Sequence, residues 1–167
     1  LNGSLTVHNY ANGGVNRLGV NDNLKASGSI TLINDEANIE IGANGATANL
    51  EAANITLDSK YDVIHVAGTI KATEKASLEA DGNILLKGGS LSAQNADFIA
   101  LGYVDETYDN SVANANGYAL SVSDTLQVLT SGTNTADGSN YGIDLGSKFN
   151  KLHRVELSTD TGNVIVG

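Results

Sequence analysis

Two kinds of side chain in this 167-residue chain are placed to do chemistry: carboxylates in alternating segments and tyrosines in polar stretches. Glu40, Glu51 and Glu79 each stand between apolar or small residues, as in Ile39-Glu40-Ile41. Carboxylates grouped in this way serve β-helical enzymes that act on polysaccharides, either as an acid/base pair or around Ca²⁺. If the three fall in register along one sheet, their like charges repel and a cation between them is stabilising; the plainer expectation is a solvated acidic face. Asp22, Asp105, Glu106, Asp109 and Asp137 lie in polar stretches and offer further oxygens, with Asp105, Glu106 and Asp109 the candidate Ca²⁺ ligands. Neither EF-hand spacing nor the Gly-Gly-x-Gly-x-Asp nonapeptide accompanies them. Tyr103, Asp105, Tyr108 and Asp109 fall close together, and with Tyr118 and Tyr141 they form the expected contact set for a glycan or a protein receptor. In such a set the ring faces stack on sugar rings while carboxylates accept from hydroxyls.

Other chemistries lack their residues. There is no His-Glu-x-x-His, no Gly-x-Ser-x-Gly, no phosphate-cradling loop ending in Lys-Ser/Thr, and no Cys. His8, His65 and His153 are far apart in sequence, and His65, alternating with Ile64 and Val66, is expected on a solvent face. The reading is therefore of a non-catalytic protein with no required cofactor, calcium being the one candidate.

The elements that must carry these residues are short strands. A five-residue phrase recurs: a small residue, then Asn, Ser, Thr or Asp, then an apolar residue, any residue, and an apolar residue or Ala. It reads Gly28-Ser29-Ile30-Thr31-Leu32, Ala37-Asn38-Ile39-Glu40-Ile41, Ala53-Asn54-Ile55-Thr56-Leu57, Gly82-Asn83-Ile84-Leu85-Leu86 and Gly162-Asn163-Val164-Ile165-Val166, among others. The alternation has period 2, which excludes helix, and recurrence about every 7 to 8 residues gives coils of roughly 20 to 25 residues. Asn-Gly and Asp-Gly turns are too few to reverse so many strands, so the strands stack in parallel. The expectation is an all-β parallel β-helix, a β-solenoid, of six to eight coils with about three short strands each.

The first and last apolar residues of each phrase then face the core, and Glu40, Glu51, Lys71, Glu79 and Ser92 face outward. The Asn at Asn38, Asn49, Asn54, Asn83 and Asn163 is expected to turn the corners or to stack as ladders between coils. Stretches near 8–23, 103–118 and 130–142 break the rhythm and read as loops inserted into one segment spanning 1–167. Five of the six tyrosines sit in them.

Composition agrees with thin, regular layers: 41% hydrophobic residues but only 5% aromatic, with no Trp, Met or Pro and with 19 Gly. The net charge of −10 disfavours nucleic acid and anionic membranes as partners. No apolar run reaches the roughly 20 residues of a membrane-spanning helix. The absence of Cys fits an exported chain. A first residue of Leu1 points to a processed product or to a segment of something longer.

The run Ile143-Asp144-Leu145-Gly146-Ser147-Lys148-Phe149-Asn150-Lys151-Leu152, followed by Val155-Glu156-Leu157-Ser158 and Thr161-Gly162-Asn163-Val164-Ile165-Val166, resembles repeats of filamentous-haemagglutinin-type bacterial exoproteins. Ala26-Ser27-Gly28-Ser29-Ile30-Thr31-Leu32 and Ala80-Asp81-Gly82-Asn83-Ile84-Leu85-Leu86 resemble their coils as well. The resemblance implies a right-handed β-helix, export by two-partner secretion or as an autotransporter, and a role as adhesin, stalk or fibre at the cell surface, with no catalytic residues in the stalk. Phrases near both ends, Leu5-Thr6-Val7 and Val164-Ile165-Val166, leave strand edges without a charged or helical cap. The expected partners are accordingly flanking coils of a longer polypeptide or identical chains added head to tail, besides a host or matrix receptor.

Overall fold

A computed structural model of the chain describes residues 1–10, 17–106, 117–135 and 140–167. Every regular element in it is a β-strand, and the strands stack in parallel as a β-solenoid of about six turns. In chain order the strands are β1 (Leu5–Asn9), β2 (Leu18–Val20), β3 (Leu24–Lys25), β4 (Ser29–Asn34), β5 (Ile39–Ile41), β6 (Ala48–Ser59), β7 (Val63–His65) and β8 (Gly68–Ala80). They continue as β9 (Ile84–Leu86), β10 (Ser90–Ala93), β11 (Asn95–Ala100), β12 (Val104–Asp105), β13 (Ala119–Thr130), β14 (Tyr141–Leu145), β15 (Lys151–Thr159) and β16 (Asn163–Val166).

Each coil has three faces. A short strand lies in one sheet, ordered β16-β14-β12-β9-β7-β5-β2 along the stack. The other two faces belong to a second sheet, in which a first and a second arm meet at a bend; in β6 and β8 both arms form one strand, with a register shift between Ala52 and Asn54. The three-strand coil expected from the phrase spacing is thus present, with two strands often fused at the bend.

Register brings like residues over like. Leu32, Leu57, Leu78, Phe98, Val128 and Leu157 form one inward column, and Ile39, Val63, Ile84, Val104, Ile143 and Val164 another. Within these columns the side chains from Ile39 to Ile143 are fully buried, as are Leu32 to Val128. Burying one such aliphatic chain contributes about 1.5–3 kcal/mol, so the repeated column is the main source of stability. Aliphatic side chains suit the columns because each must fit the roughly 4.8 Å spacing between stacked strands.

Asparagines bind the corners. The Asn38 carboxamide oxygen accepts from Asp62 N, the Asp62 carboxylate accepts from Asn83 N, and the Asn83 oxygen accepts from Tyr103 N, one coil after another. Asn23, Asn49 and Thr69 form a second such line at 2.7 and 2.8 Å. These side chains satisfy backbone donors that the turns leave unpaired.

The expected loop stretches are shorter than their composition suggests. Strand β1 runs through His8 and Asn9, β2 starts at Leu18, Val104 and Asp105 are paired as β12, and β14 begins at Tyr141. In these cases polar residues occupy outward or covered ladder positions, and period-2 alternation was hidden because each paired run is only a few residues long.

Candidate functional site

The three outward glutamates do not share a face. Glu40 lies in β5, in register with Gly19 and Ile64. Glu51 lies on the first arm of β6, in register with Lys25 and Lys71, whereas Glu79 lies on the second arm of β8 opposite Asp58. The expected acidic row is replaced around Glu51 by a Lys-Glu-Lys column, with Glu51 3.0 Å from Lys25 and 3.8 Å from Lys71. The hydrogen bond from Lys25, with the charge of both lysines, holds the Glu51 carboxyl below its usual value. No cation is needed where lysines already alternate with the carboxylate.

His65 is likewise corrected. It occupies the third, inward position of β7, in register with Ile41 and Leu86, and is fully buried. Its Nδ1 is hydrogen-bonded to the Tyr118 hydroxyl at 2.7 Å, and the two rings meet edge to face with centroids 5.3 Å apart. Tyr118 itself is fully buried two coils further along. Between them stands Gly89, where a Cβ would come within 3.1 Å of His65 Nε2. A Cβ at Gly89 would also meet the Gly68 carbonyl oxygen at 2.3 Å, and the Tyr118 side chain spans this coil to reach the imidazole. Burial pushes the His65 pKa down to about 4 and the Tyr118 phenol well up.

The same buried seam continues to Glu106. Its Oε2 accepts from Asn150 Nδ2 at 2.8 Å and from Ser147 N at 3.1 Å, while Oε1 is buried with no hydrogen-bond partner. Asn150 also accepts from Leu120 N, and the Ser147 hydroxyl donates to the Tyr118 carbonyl. Burial first, and then the nearby Asp144 and Asp105 charges, push the Glu106 carboxyl up to about 7 against the pull of the Asn150 and Ser147 bonds.

Asp105 turns away from this seam. Its carboxylate accepts from the Tyr141 hydroxyl at 2.5 Å, and the same hydroxyl accepts from Asn134 Nδ2 at 2.7 Å. Asp105 and Tyr141 are both buried, and burial with the Asp105 bond raises the Tyr141 phenol. Tyr103 is half-buried, with its ring edge-on to Tyr141 at 6.1 Å. Of the four described members of the expected contact set three are therefore internal: Tyr118, Tyr141 and Asp105 brace the solenoid and present no face to a sugar. Tyr108 and Asp109, like Asp137, lie outside the described residues. Asp105 and Glu106 are engaged by different partners, Tyr141 for the one and Asn150 with Ser147 for the other. Among the described residues no three His, Asp or Glu side chains are grouped to hold a metal.

An open cleft of about 530 Å³ lies elsewhere, on the outside of the β2/β5/β7 face, lined by Arg17, Glu36, Ala37, Asn38, Glu40 and Tyr61. Gly19 stands beside Glu40 in the outward column and leaves space above the sheet, while Arg17 Nη1 donates to Glu40 Oε2 at 2.7 Å. Tyr61, in the turn before β7, is 55% exposed, which among the described tyrosines only Tyr10 exceeds.

No family model, curated protein or solved structure matches the chain.

The cleft residues were not among those singled out as a set by sequence. Glu40 was recognised as an outward carboxylate, but Arg17, Glu36 and Tyr61 were not. The available signal was Tyr61 itself, the one tyrosine that belongs to the coil rhythm and precedes Val63 by two residues. The glycine opposite Glu40 could be assigned only once the coils were in register.

Proposed function

We propose that the chain is a rigid, non-catalytic structural segment of a stalk or fibre at a bacterial cell surface, giving reach and attachment to a secreted adhesin. The carrying observation is the continuity of the inward columns, which run from coil to coil along the stack. A stack of parallel coils held by aliphatic columns and side-chain ladders resists bending and extends by repetition. Ion pairs such as Lys60 with Asp81 and Lys75 with Asp97 link one coil to the next along its surface, which fits a scaffold. The resemblance to filamentous-haemagglutinin-type coils supports the surface location. Antibody raised against the chain should label intact, unpermeabilised cells of its source. Labelling only after permeabilisation would overturn the reading.

A second reading, a filament of identical chains, is favoured by the end coils. Val155, Val164 and Val166 lie in inward columns but are 37%, 43% and 56% exposed, and Leu5, Val7 and Leu18 at the opposite end are only partly covered. Extending the register would set Leu5 over Val155, Val7 over Leu157 and Leu18 over Val164. One copy's β16 and the next copy's β1 would then supply different faces of the same coil. Electron microscopy of the isolated chain at high concentration should show polymers many coils long under this reading; uniform monomers would exclude it. Cleavage of an acidic glycan by the purified chain, lost on neutralising Glu40, would instead indicate a polysaccharide lyase or glycosidase and would overturn both.

A further inference from the structure

The cleft beside Tyr61 has the makings of an attachment point. Its floor and walls come from three successive coils. Arg17, just before β2, stands one coil from Asn38, and Asn38 stands one coil from Asp62, since Leu18, Ile39 and Val63 are in register. Arg17 and the Tyr61-Asp62 turn are therefore two coil spacings apart, roughly 10 Å. Between them the floor is low, because Ala37 in the middle coil is small and buried. One wall is an exposed phenol ring, amphipathic and held on a turn whose carbonyl accepts from Gly82 N at 2.9 Å. The other wall is the Arg17–Glu40 ion pair, whose side chains are 45% and 17% exposed.

These features recognise a specific chemistry. An aromatic face attracts the C–H face of a sugar ring, and a paired guanidinium and carboxylate present adjacent donors and acceptors that match vicinal hydroxyls. The cleft is lined by two carboxylates, Glu36 and Glu40, and one guanidinium, Arg17, and the chain as a whole carries a net charge of −10. An acidic glycan is therefore repelled, and hydroxyl-rich neutral sugar is not.

We propose that this cleft binds a neutral oligosaccharide, with Tyr61 as the stacking platform and Arg17 with Glu40 as the hydroxyl clamp. The inference deepens the stalk reading, because it places the point of attachment on the side of the solenoid and not at its ends.

The test is saturation-transfer NMR on the purified chain with maltotetraose, cellotetraose and mannotetraose, and with tetragalacturonate as the anionic counterpart. At least one neutral tetrasaccharide should receive saturation, and its affinity should fall about tenfold or more in Tyr61→Ala and in Glu40→Gln while Tyr61→Phe stays close to the native chain. Tyr10→Ala, which alters another exposed ring, should change nothing. Absence of transfer to all three neutral sugars, transfer that survives Tyr61→Ala, or tighter binding of tetragalacturonate would overturn the proposal. Circular dichroism of each variant separates loss of the site from loss of the fold. Failure here, with the chain still labelled on intact cells, would remove the glycan site and leave the stalk reading standing.

Discussion

The carboxyl of Glu106 exchanges its proton near neutrality because it is enclosed, with one oxygen bonded to Asn150 and Ser147 and the other unpartnered. Its pKa rises from 4.5 to about 7 on folding, so between those values the folded chain binds a proton that the unfolded chain has released. Stability from this group is fully present below about 4.5 and falls as pH rises toward 7, by on the order of 3 kcal/mol. His65 works in the opposite sense: its pKa drops from 6.5 to about 4, so stability is gained as pH rises across that window. The two nearly offset between pH 4.5 and 6.5. Glu106→Gln should uncover the histidine contribution, giving a urea midpoint that climbs from pH 4 to 6.5 and then levels, where the native chain stays flatter and declines toward pH 7. Parallel profiles for the two proteins would refute this. Tyr118→Phe should cost about 1–3 kcal/mol in the same measurement, because it leaves His65 Nδ1 buried without its partner. His65 was misplaced from sequence because its partner is 53 residues away, and a polar side chain with no local partner reads as exposed. The phrase parity itself, with Val63 inward, places position 65 inward.

At the level of the coil, corners decide what sequence change is tolerated. Gly68 has φ of +108° at the entry to β8, and a Cβ there would lie 1.9 Å from the Ala48 carbonyl oxygen of the coil beneath. Gly45 has φ of +78° but nothing within 4 Å. Gly45→Ala should therefore cost about 1 kcal/mol, the strain of the left-handed conformation alone. Gly68→Ala should cost several times more, because stacked backbone cannot move aside without breaking the ladder on both neighbours. Thermal unfolding of the two variants checks the contrast; equal losses would mean that the close approach carries no weight. The strands themselves were legible, since Ile39-Glu40-Ile41 and Ile55-Thr56-Leu57 report inward and outward sides directly. Tyr118 and Tyr141 were not, because aromatic residues in Asn- and Gly-rich stretches resemble loop contacts until neighbouring coils cover them. The outward row of Glu40, Glu51 and Glu79 failed for a related reason: parity tells which side of a strand a residue takes, but not which of three faces the strand occupies.

For the molecule as a whole, repetition predicts modularity. Ile39 and Val63 hold equivalent positions one coil apart, so removing residues 39–62 deletes one complete coil and rejoins the stack in register. The shortened chain should keep its β-type circular dichroism, with a urea m-value lower by about one sixth. Removing residues 48–59 deletes two faces of a coil and should abolish the cooperative transition. A folded product from the second deletion would contradict the three-faced coil. A stack of this kind ordinarily behaves as a linear Ising chain, each unit coupled only to the units beside it. The Tyr118–His65 bond, which passes over the coil of Gly89, adds a next-nearest-neighbour term between the third and fifth coils, counted from β2. The middle of the solenoid should consequently open as one block: amides from 63 to 100 and from 119 to 130 should share a single hydrogen-exchange free energy, and Tyr118→Phe should let the fifth coil exchange ahead of the third.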